Sequence, residues 1–222
     1  MIELKQIRKD YGERTVIKNQ SLSIKDKEFF VLIGPSGSGK TTLLKLINRL
    51  IDPTEGDVLL NGKSVMDYPL RKLRLNTGYV LQQIALFPNL TVAENIELVP
   101  IMKKWPKQIR KEQTTQLLSK VGLDPKIYAH RYPHELSGGE QQRVGIVRAI
   151  IGKPEILLMD EPFSALDPIS RRQLQDLIKT LHHELGLTIV FVTHNMEEAA
   201  YLGDRLCIMN HGEIIQTGTP DE

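Results

Sequence analysis

The sequence contains few features of a secreted or membrane-spanning protein. It has one cysteine, Cys207, so no disulfide can form within the chain, and nothing in its composition calls for an oxidising compartment. The apolar neighbours Leu206 and Ile208 favour a buried small side chain there over a nucleophile. No apolar run approaches the roughly 20 residues of a membrane-spanning helix, and residues 1–5 lack the apolar region of a signal peptide. We therefore expect a cytoplasmic chain, with any membrane part supplied by other subunits.

The chain also has little excess of positive or negative charge. There are 29 Lys and Arg residues and 27 Asp and Glu residues, which gives a net charge of +2. This charge is too small to indicate binding to nucleic acid or to an acidic membrane surface. The fractions of hydrophobic residues (41%) and charged residues (25%) are ordinary for a globular protein. A chain of 222 residues can form one domain with a sizeable core, and no nucleic-acid partner is expected.

Short apolar segments alternate with helical patterns along the chain. This order predicts an α/β fold with a mainly parallel sheet and helices on both faces. The predicted strands are 2–8, 17–25, 29–33, 57–60, 78–82, 155–159, 188–192, 205–209 and 213–217. The first, second and fourth of these are expected to form a small antiparallel β layer beside the parallel core. An amphipathic helix is predicted from about Ser170.

Residues 85–152 differ in character from the rest of the chain. They carry helical patterns, surfaces rich in Lys and Arg, and prolines that we interpret as loop markers. These prolines are Pro88, Pro100, Pro106, Pro125 and Pro133. We predict a single domain over residues 1–222, with a core made of 1–84 and 153–222 and an inserted helical subdomain at about 85–152.

The segment that follows the apolar run 29–33 reads Gly-Pro-Ser-Gly-Ser-Gly-Lys-Thr. Its glycines allow backbone N–H groups to approach phosphate oxygens closely, and a helix predicted from Lys40 to about Leu50 directs its N-terminus at the anion. Lys40 is expected to reach the β- and γ-phosphates, and the Thr41 hydroxyl to bind Mg²⁺. The predicted nucleotide-binding residues here are Gly34, Pro35, Ser36, Gly37, Ser38, Gly39, Lys40, Thr41 and Thr42. A plain glycine-rich turn is the alternative, and the flanking strand and helix argue against it.

A second apolar segment ends in two acidic residues. Residues 156–159 are apolar without alternation, which is typical of a central strand covered on both faces. Asp160 is predicted to hold Mg²⁺, usually through water, and Glu161 to polarise the attacking water. Strand alternation would aim the two side chains in different directions. A solvated Asp-Glu pair at a strand end is the alternative, and we would favour it if the phosphate-binding motif were absent.

These motifs, with Leu-Ser-Gly-Gly-Glu-Gln-Gln-Arg at 136–143, resemble the ATP-binding subunits of ATP-binding cassette (ABC) transporters over the whole chain. The resemblance implies a P-loop NTPase core that binds ATP and Mg²⁺. It implies that Tyr11 stacks on adenine and that His194 acts as the histidine that contacts the γ-phosphate. Gln82 matches the glutamine that binds Mg²⁺ and senses the γ-phosphate, although Gln83 is an alternative one residue on. Lys40, Glu161 and His194 are then the expected catalytic residues.

Residues 136–143 resemble the signature sequence that is specific to this family. Ser137 is expected to cap a helix that begins near Gly138 and, with Gly139, to present a second anion-binding helix start. In the family this start closes on the ATP of a second subunit, so the resemblance implies a head-to-tail dimer of two copies. Asp167, in the segment Ser-Ala-Leu-Asp at 164–167, matches a loop that contacts the opposite subunit. Glu140 stands where many members carry glutamine.

A narrower resemblance concerns the osmoprotectant branch, which imports glycine betaine, carnitine, choline or proline. It lies in residues 41–50, 82–90, 98–100 with Trp105, and 131–135. It implies permease subunits, an extracellular substrate-binding protein or domain, and a location at the cytoplasmic face of the membrane. Residues 83–105 would transmit motion to the permease.

Many members continue into paired cystathionine-β-synthase-type domains, and the end at Glu222, where the family usually runs into another helix, agrees with a fragment of a longer chain.

Other ATPase classes share some of these motifs. A DNA-repair or chromosome-organising ATPase would carry a long coiled coil between Gln82 and Ser137, where this chain has only residues 83–136. An exporter subunit, or the ATPase of a non-transporting cell-envelope regulatory complex, has the same motifs. The sequence leaves both of these open.

Overall fold

A six-stranded sheet forms the centre of the protein in a computed structural model that describes residues 1–83 and 85–222. In spatial order its strands are β10 (Glu213–Gly218), β9 (Arg205–Asn210), β3 (Phe29–Ile33), β8 (Thr188–Thr193), β7 (Ile156–Asp160) and β6 (Thr77–Val80). All neighbours are parallel except β10, which pairs antiparallel with β9. The predicted mainly parallel sheet is confirmed.

A second, smaller sheet is antiparallel. Its order is β2 (Arg14–Ile24), β1 (Ile2–Tyr11), β4 (Glu55–Leu60) and β5 (Lys63–Ser64). The first three strands are the antiparallel layer that the sequence predicted, and the two-residue β5 was not predicted. It pairs with the end of β4 across the turn at Asn61 and Gly62.

Helices connect the strands and cover the central sheet. They are α1 (Lys40–Ile47), α2 (Leu70–Leu75), α3 (Val92–Met102), α4 (Lys107–Lys120), α5 (Pro125–Tyr128), α6 (Gly138–Ile150), α7 (Pro168–Leu185) and α8 (Met196–Leu202). Short 3₁₀ helices occupy Val65–Asp67 and Pro133–Glu135. In the part of the chain that the structure describes, none of the helices has the length and apolar character needed to cross a bilayer.

The central sheet is buried on both faces. Along β3, Phe30 and Leu32 join one apolar cluster with the antiparallel sheet and α1, while Phe29 and Val31 join another with α7 and α8. This is why β3 reads as a continuous apolar run. A third cluster, which includes Val92, Leu118 and Val144 from α3, α4 and α6, holds the helical region together. The predicted subdomain boundaries near 84 and 152 remain a prediction.

Several predicted boundaries and markers differ from the structure. Strand β1 extends to Tyr11 and β2 begins at Arg14, each three residues beyond its predicted limit. Helix α1 ends at Ile47, before Leu50, because Arg49 adopts a φ of 54° and the Leu50 N–H bonds to the Lys45 carbonyl, as in a Schellman motif with arginine where glycine is usual. Strand β6 ends at Val80, opposite Met159, because the following residues are exposed and lose the packing that holds a strand in the sheet.

Further differences concern the helices, and Pro125, another predicted loop marker, is the first residue of α5. Helix α7 begins at Pro168, two residues before Ser170, because Asp167 accepts hydrogen bonds from the N–H groups of Ile169 and Ser170 and so caps it. Pro100, predicted as a loop marker, lies inside α3. Its ring leaves the helix without the N–H that would donate to the carbonyl oxygen four residues earlier.

Asn95 fixes the chain before α3. Its side chain is 0% exposed, and its Oδ1 accepts a hydrogen bond from the Phe87 N–H at 2.8 Å. Its Nδ2 donates to the carbonyl oxygens of Phe87, Leu90 and Thr91 at 3.0–3.1 Å. A single buried amide therefore satisfies four backbone groups of the segment that follows the predicted Mg²⁺ ligand Gln82.

We predict that Asn95→Ala lowers the free energy of unfolding by about 3 kcal/mol, because the Phe87 N–H and the Leu90 carbonyl oxygen lose the amide as their partner. Urea denaturation of the purified chain measures this change. The exposed Asn89→Ala serves as the control and should change the free energy by less than about 0.5 kcal/mol. Equal effects of the two substitutions would contradict the assigned role of Asn95.

Candidate functional site

The loop 34–39 leaves β3 and passes very close to two other strands. A Cβ atom added to Gly34 would collide with the Met209 carbonyl oxygen of β9, and one added to Gly39 would collide with Ile17 of β2. The loop is also held by a hydrogen bond from the Gly212 N–H to the Ser38 carbonyl oxygen. These glycines are therefore required by the close approach of neighbouring backbone and side chains.

Helix α1 begins with free N–H groups. Its N-cap residue Gly39 has a φ of 104° and offers no side-chain acceptor, and the first turn contains no acidic residue. Pro35, Ser36 and Gly37 are exposed in front of it. Uncapped N–H groups together with the helix dipole form a binding site for an anion such as phosphate.

Lys40 is buried at this helix start. Its Nζ donates hydrogen bonds to the carbonyl oxygens of Gly34 at 2.7 Å and Pro35 at 2.9 Å. Burial lowers the pKa of the Lys40 ammonium, and the nearby carboxylates of Glu161 and Asp160 oppose that shift. The ammonium is thus folded back onto the loop that it would share with a bound phosphate.

The end of β7 meets the start of α1. The Thr41 Oγ1 donates a hydrogen bond to Asp160 Oδ1 at 2.8 Å. Burial raises the pKa of the Asp160 carboxyl, and the Thr41 hydrogen bond opposes this shift. Tyr79 of β6 lies beside the same carboxylate, and the pKa of its phenol is raised by burial and by the Asp160 charge. Tyr79 was not among the predicted site residues, although its place in the apolar strand before Gln82 could have indicated it.

Glu161 and His194 form a direct contact. Glu161 Oε2 lies 2.9 Å from His194 Nδ1, and the side chains are 17% and 59% exposed. The predicted reason for the different directions of Asp160 and Glu161 is wrong. Glu161 lies outside β7 with a φ of 43°, so a left-handed backbone turn, and not strand alternation, directs its side chain. Its N–H donates to the Val192 carbonyl oxygen of β8 at 3.0 Å.

The start of α6 forms a second polar location. Ser137 caps the helix as predicted, because its Oγ accepts from the Glu140 N–H while the Ser137 N–H donates to Glu140 Oε2 at 2.8 Å. The Ser137 hydroxyl also bonds to this carboxylate, and a Tyr128 hydrogen bond lowers the pKa of Glu140. Gly139 faces Ser170 in the first turn of α7, where Asp167 is the cap and its pKa is lowered by Ser170.

The structure brings some of the predicted residues together and leaves others apart. The loop 34–42, Asp160, Glu161 and His194 share the carboxyl edge of β3, β7 and β8. Ser137, Gly138, Gly139 and Asp167 make no hydrogen bond to that group among the described residues. Tyr11 is exposed at the end of β1, with the Lys9 ammonium 5.0 Å from its ring centroid. Gln82 and Gln83 are both exposed beyond β6. The structure therefore does not choose between these two glutamines.

Larger cavities lie away from this edge. One of about 590 Å³ is lined by residues at the opposite ends of β7 and β8, including Lys153, Glu155 and Thr188. A small cavity of about 50 Å³ lies at the site itself, beside Glu161 and His194. The site is thus an open surface for a polar ligand, and cavity size alone would have indicated the wrong face of the protein.

Comparison with known proteins decides the family. A family model described as ABC transporter matches residues 17–164. The chain belongs to the ABC transporter family. Among curated members, it is 51% identical to the choline transport ATP-binding protein OpuBA of Bacillus subtilis (strain 168), and the match covers 100% of this chain and 58% of that relative. It is 44% identical to the osmoprotectant import ATP-binding protein OsmV of Salmonella typhimurium, with 100% and 59% covered. The chain thus spans a little over half the length of these ABC relatives.

Solved ABC structures have the same fold. The dimeric, post-hydrolysis structure of the ATP-binding cassette MJ0796 bound to ADP and Pi superposes with a TM-score of 0.89 at 37% identity, and 99% of each chain is covered. The structure of cbiO1 from Clostridium perfringens, described as part of the ABC transporter complex cbiONQ, gives a TM-score of 0.90 at 26% identity, with 99% of this chain and 88% of that chain covered. The predicted ABC ATPase fold class is confirmed.

We predict that Asp160→Asn raises the melting temperature of the ABC chain by a few degrees at neutral pH, without Mg²⁺ or nucleotide. The raised pKa of Asp160 means that the folded state binds its proton more tightly than the unfolded state. Its charge therefore costs stability above that pKa, and stability should rise as the pH falls toward it. Asparagine removes the charge and keeps an oxygen that can accept from Thr41.

Calorimetry or thermal unfolding followed by circular dichroism measures this difference. Asp52→Asn is the matched control, because it removes an exposed carboxylate that forms an ion pair with Arg49 alone among residues 1–83 and 85–222, and it should bring no increase. A melting temperature of the Asp160→Asn variant equal to or below that of the wild type would contradict the prediction.

Proposed function

We propose that the chain is the ATP-binding and hydrolysing subunit of an ABC importer. The observation that carries this proposal is the convergence of Lys40, the Thr41–Asp160 pair and the Glu161–His194 pair at one helix start. Free N–H groups and the ammonium suit the phosphates of ATP, while a carboxylate beside a histidine suits activation of water. Tyr11 is proposed to stack on adenine through its exposed ring.

The proposed reaction is attack of water on the γ-phosphorus of ATP. Glu161 accepts a proton from the water as the new P–O bond forms and the bond to the β-phosphate oxygen breaks. His194 holds the Glu161 carboxylate through its Nδ1 and contacts the γ-phosphate. Lys40 exchanges the carbonyl oxygens of Gly34 and Pro35 for phosphate oxygens and stabilises their charge.

The oxygen atoms at the end of β7 suit Mg²⁺. The Thr41 hydroxyl and the Asp160 carboxylate are hard donors that already lie within 2.8 Å of each other, and Gln82 is proposed as a further ligand. When bound there, Mg²⁺ would neutralise charge on the phosphate oxygens.

The second polar location supports a head-to-tail dimer of two copies. Ser137, Gly138 and Gly139 offer a helix start for an anion that makes no hydrogen bond to the chain's own loop 34–41 among the described residues, and Asp167 lies in the neighbouring loop. We propose that each copy closes this start on the ATP of the other, so that ATP joins the subunits and hydrolysis separates them. The dimeric structures of MJ0796 support this assembly.

An apolar groove between α2 and α3 supports a permease partner. It has a volume of about 530 Å³ and is lined by residues that include Leu75, Lys103 and Trp105. Two further apolar side chains are exposed, Met66 in the 3₁₀ helix Val65–Asp67 and Met102 at the end of α3. Arg71 of α2 donates a hydrogen bond to the Met102 carbonyl oxygen at 3.3 Å. We propose that residues 83–105, with this groove, receive a cytoplasmic helix of the permease at the inner face of the membrane.

Quaternary amine osmoprotectants are the proposed transported substrates. The support is the names of the similar proteins, which include choline transport and glycine betaine/carnitine/choline transport ATP-binding proteins at 51% identity over the whole chain. These names favour import over the exporter and regulatory alternatives. The transported amine would be delivered by an extracellular substrate-binding protein or domain and would not touch this chain.

Glu161→Gln is expected to slow ATP hydrolysis at least about 100-fold, because an amide cannot take the proton from water. ATP should then hold the chain as a dimer, detectable by light scattering after size-exclusion chromatography with ATP and Mg²⁺. Glu155→Gln, which changes a carboxylate at the opposite edge of the sheet, is the control and should leave hydrolysis and dimerisation as in the wild type. Unimpaired phosphate release by the Glu161→Gln variant would remove Glu161 from the proposed role.

The transport proposal is tested with the chain and its co-purified permease in lipid vesicles. Glycine betaine, carnitine or choline, supplied with the binding protein, should stimulate ATPase activity, and alanine of equal concentration should not. Absence of stimulation by every quaternary amine, with basal hydrolysis intact, would overturn the substrate class and leave the ATPase assignment standing.

A further inference from the structure

We propose that Arg171 and Glu198 are positioning residues that hold His194 against Glu161 and connect this contact to the loop 164–167. The inference rests on the proposed ATPase function. It concerns two charged side chains that none of the predicted motifs includes, on α7 and α8.

Glu198 makes hydrogen bonds to the residues on both sides of His194, Thr193 and Asn195. Its side chain is 10% exposed, and its Oε2 accepts a hydrogen bond from Thr193 Oγ1 at 2.7 Å. The same Thr193 oxygen accepts from the Asn195 N–H at 3.0 Å. The Glu198 N–H in turn donates to Asn195 Oδ1 at 3.2 Å. The buried carboxylate therefore fixes the turn from which the imidazole of His194 projects toward Glu161.

Arg171 joins this carboxylate to the loop before α7. Its Nη2 donates a hydrogen bond to the Leu166 carbonyl oxygen at 3.1 Å, and its Nε lies 3.7 Å from Glu198 Oε1. A small cavity of about 50 Å³ borders both Arg171 and Glu198 as well as Glu161 and His194. A continuous series of polar contacts thus runs from Leu166, one residue before Asp167, to Thr193 and Asn195, which flank His194 in the chain.

The distance between the Arg171 Nε and the Glu198 carboxylate can change when the loop 164–167 moves. At 3.7 Å the two charges attract each other, but the Nε–H is beyond hydrogen-bond distance, and it is buried without another acceptor among the described residues. A shift of less than 1 Å in the loop 164–167 would close or open the pair. Because Asp167 is proposed to lie at the dimer interface, arrival of the second subunit would be transmitted to His194 through this pair.

The Arg171–Glu198 pair also stabilises the fold less than apolar residues would at these two positions. The Glu198 carboxylate is buried, while the Arg171 side chain is 32% exposed. Burial of the carboxylate carries a desolvation penalty that an apolar residue of similar volume would avoid, so its presence beside the reacting groups points to a positioning role. Removal of one partner leaves the other charge uncompensated.

The test compares Glu198→Gln, Arg171→Met and their double variant in steady-state ATP hydrolysis. Glutamine still accepts from Thr193 but removes the charge opposite Arg171. We expect each single variant to lower kcat about 10-fold with KM for ATP changed less than about 2-fold, and the double variant to lose no more than either single one. Arg172→Met is the matched control on the same helix, because Arg172 is exposed and pairs with Asp176, and its kcat should stay within about 2-fold of the wild type.

A second readout needs no hydrolysis. The imidazole NMR signals of His194, assigned with a His194→Ala variant, should shift in the nucleotide-free chain on Glu198→Gln and on Arg171→Met, as on Glu161→Gln. The signals of the other histidines should stay in place. If the wild type hydrolyses ATP, unchanged kcat in both single variants overturns the inference, as does an additive double variant. If the wild type hydrolyses no ATP, the proposed function fails, and an unmoved His194 signal would then overturn the inference by itself.

Discussion

The hydrogen-bond register of three adjacent parallel strands is the constraint on which the site depends. Ile33 of β3 pairs with Thr193 of β8, and Asp160 of β7 pairs with Val192 of β8, so the three strands end at the same level. Carboxyl ends of parallel strands meet at one edge of a sheet, where polar ligands bind. The phosphate-binding loop, the acidic pair and the histidine therefore meet although more than a hundred residues of sequence separate the first from the second. A slip of one residue in either pairing would turn these side chains away from each other.

Local conformations at this edge are costly, and the surrounding structure holds them. Glu161 is a non-glycine residue with a φ of 43°, a conformation that costs about 1–2 kcal/mol. The Val192 carbonyl oxygen and the His194 ring both bond to Glu161 and keep it there. Burial raises the pKa of the Asp160 carboxyl, and Lys40 is buried beside it. A site with these features is less stable than it could be, and ligand binding is the function that explains the loss.

Sequence patterns predicted the central strands and the loop 34–41 well because each depends on local chemistry, such as uninterrupted apolar residues or obligatory glycines. They failed where long-range contacts decide. The end of β6 at Val80 depends on loss of packing, and Arg49, which follows the C-cap residue Asn48 of α1, takes a backbone conformation that composition assigns to glycine. Arg171 and Glu198 lie on amphipathic helices as ordinary charged residues, and only the fold places them beside Thr193 and Leu166. The roles of Tyr11, Gln82, Ser137 and Asp167 remain predictions, since they concern ligands or a second copy.

The two helix starts differ in a way that would make assembly conditional on ATP. The start of α1 has no side-chain cap and no acidic residue in its first turn, so its N–H groups can meet phosphate directly. At the start of α6 the Ser137 hydroxyl and N–H are already bonded to the Glu140 carboxylate. A phosphate that binds there must compete with the Glu140 carboxylate for these hydrogen bonds and is repelled by its negative charge. In the proposed dimer, the first start would bind ATP in a single copy, and the second would contribute only when the two surfaces close together. Glutamine at position 140 would retain the cap without the charge, so the glutamate would weaken the proposed dimer and favour its opening after hydrolysis.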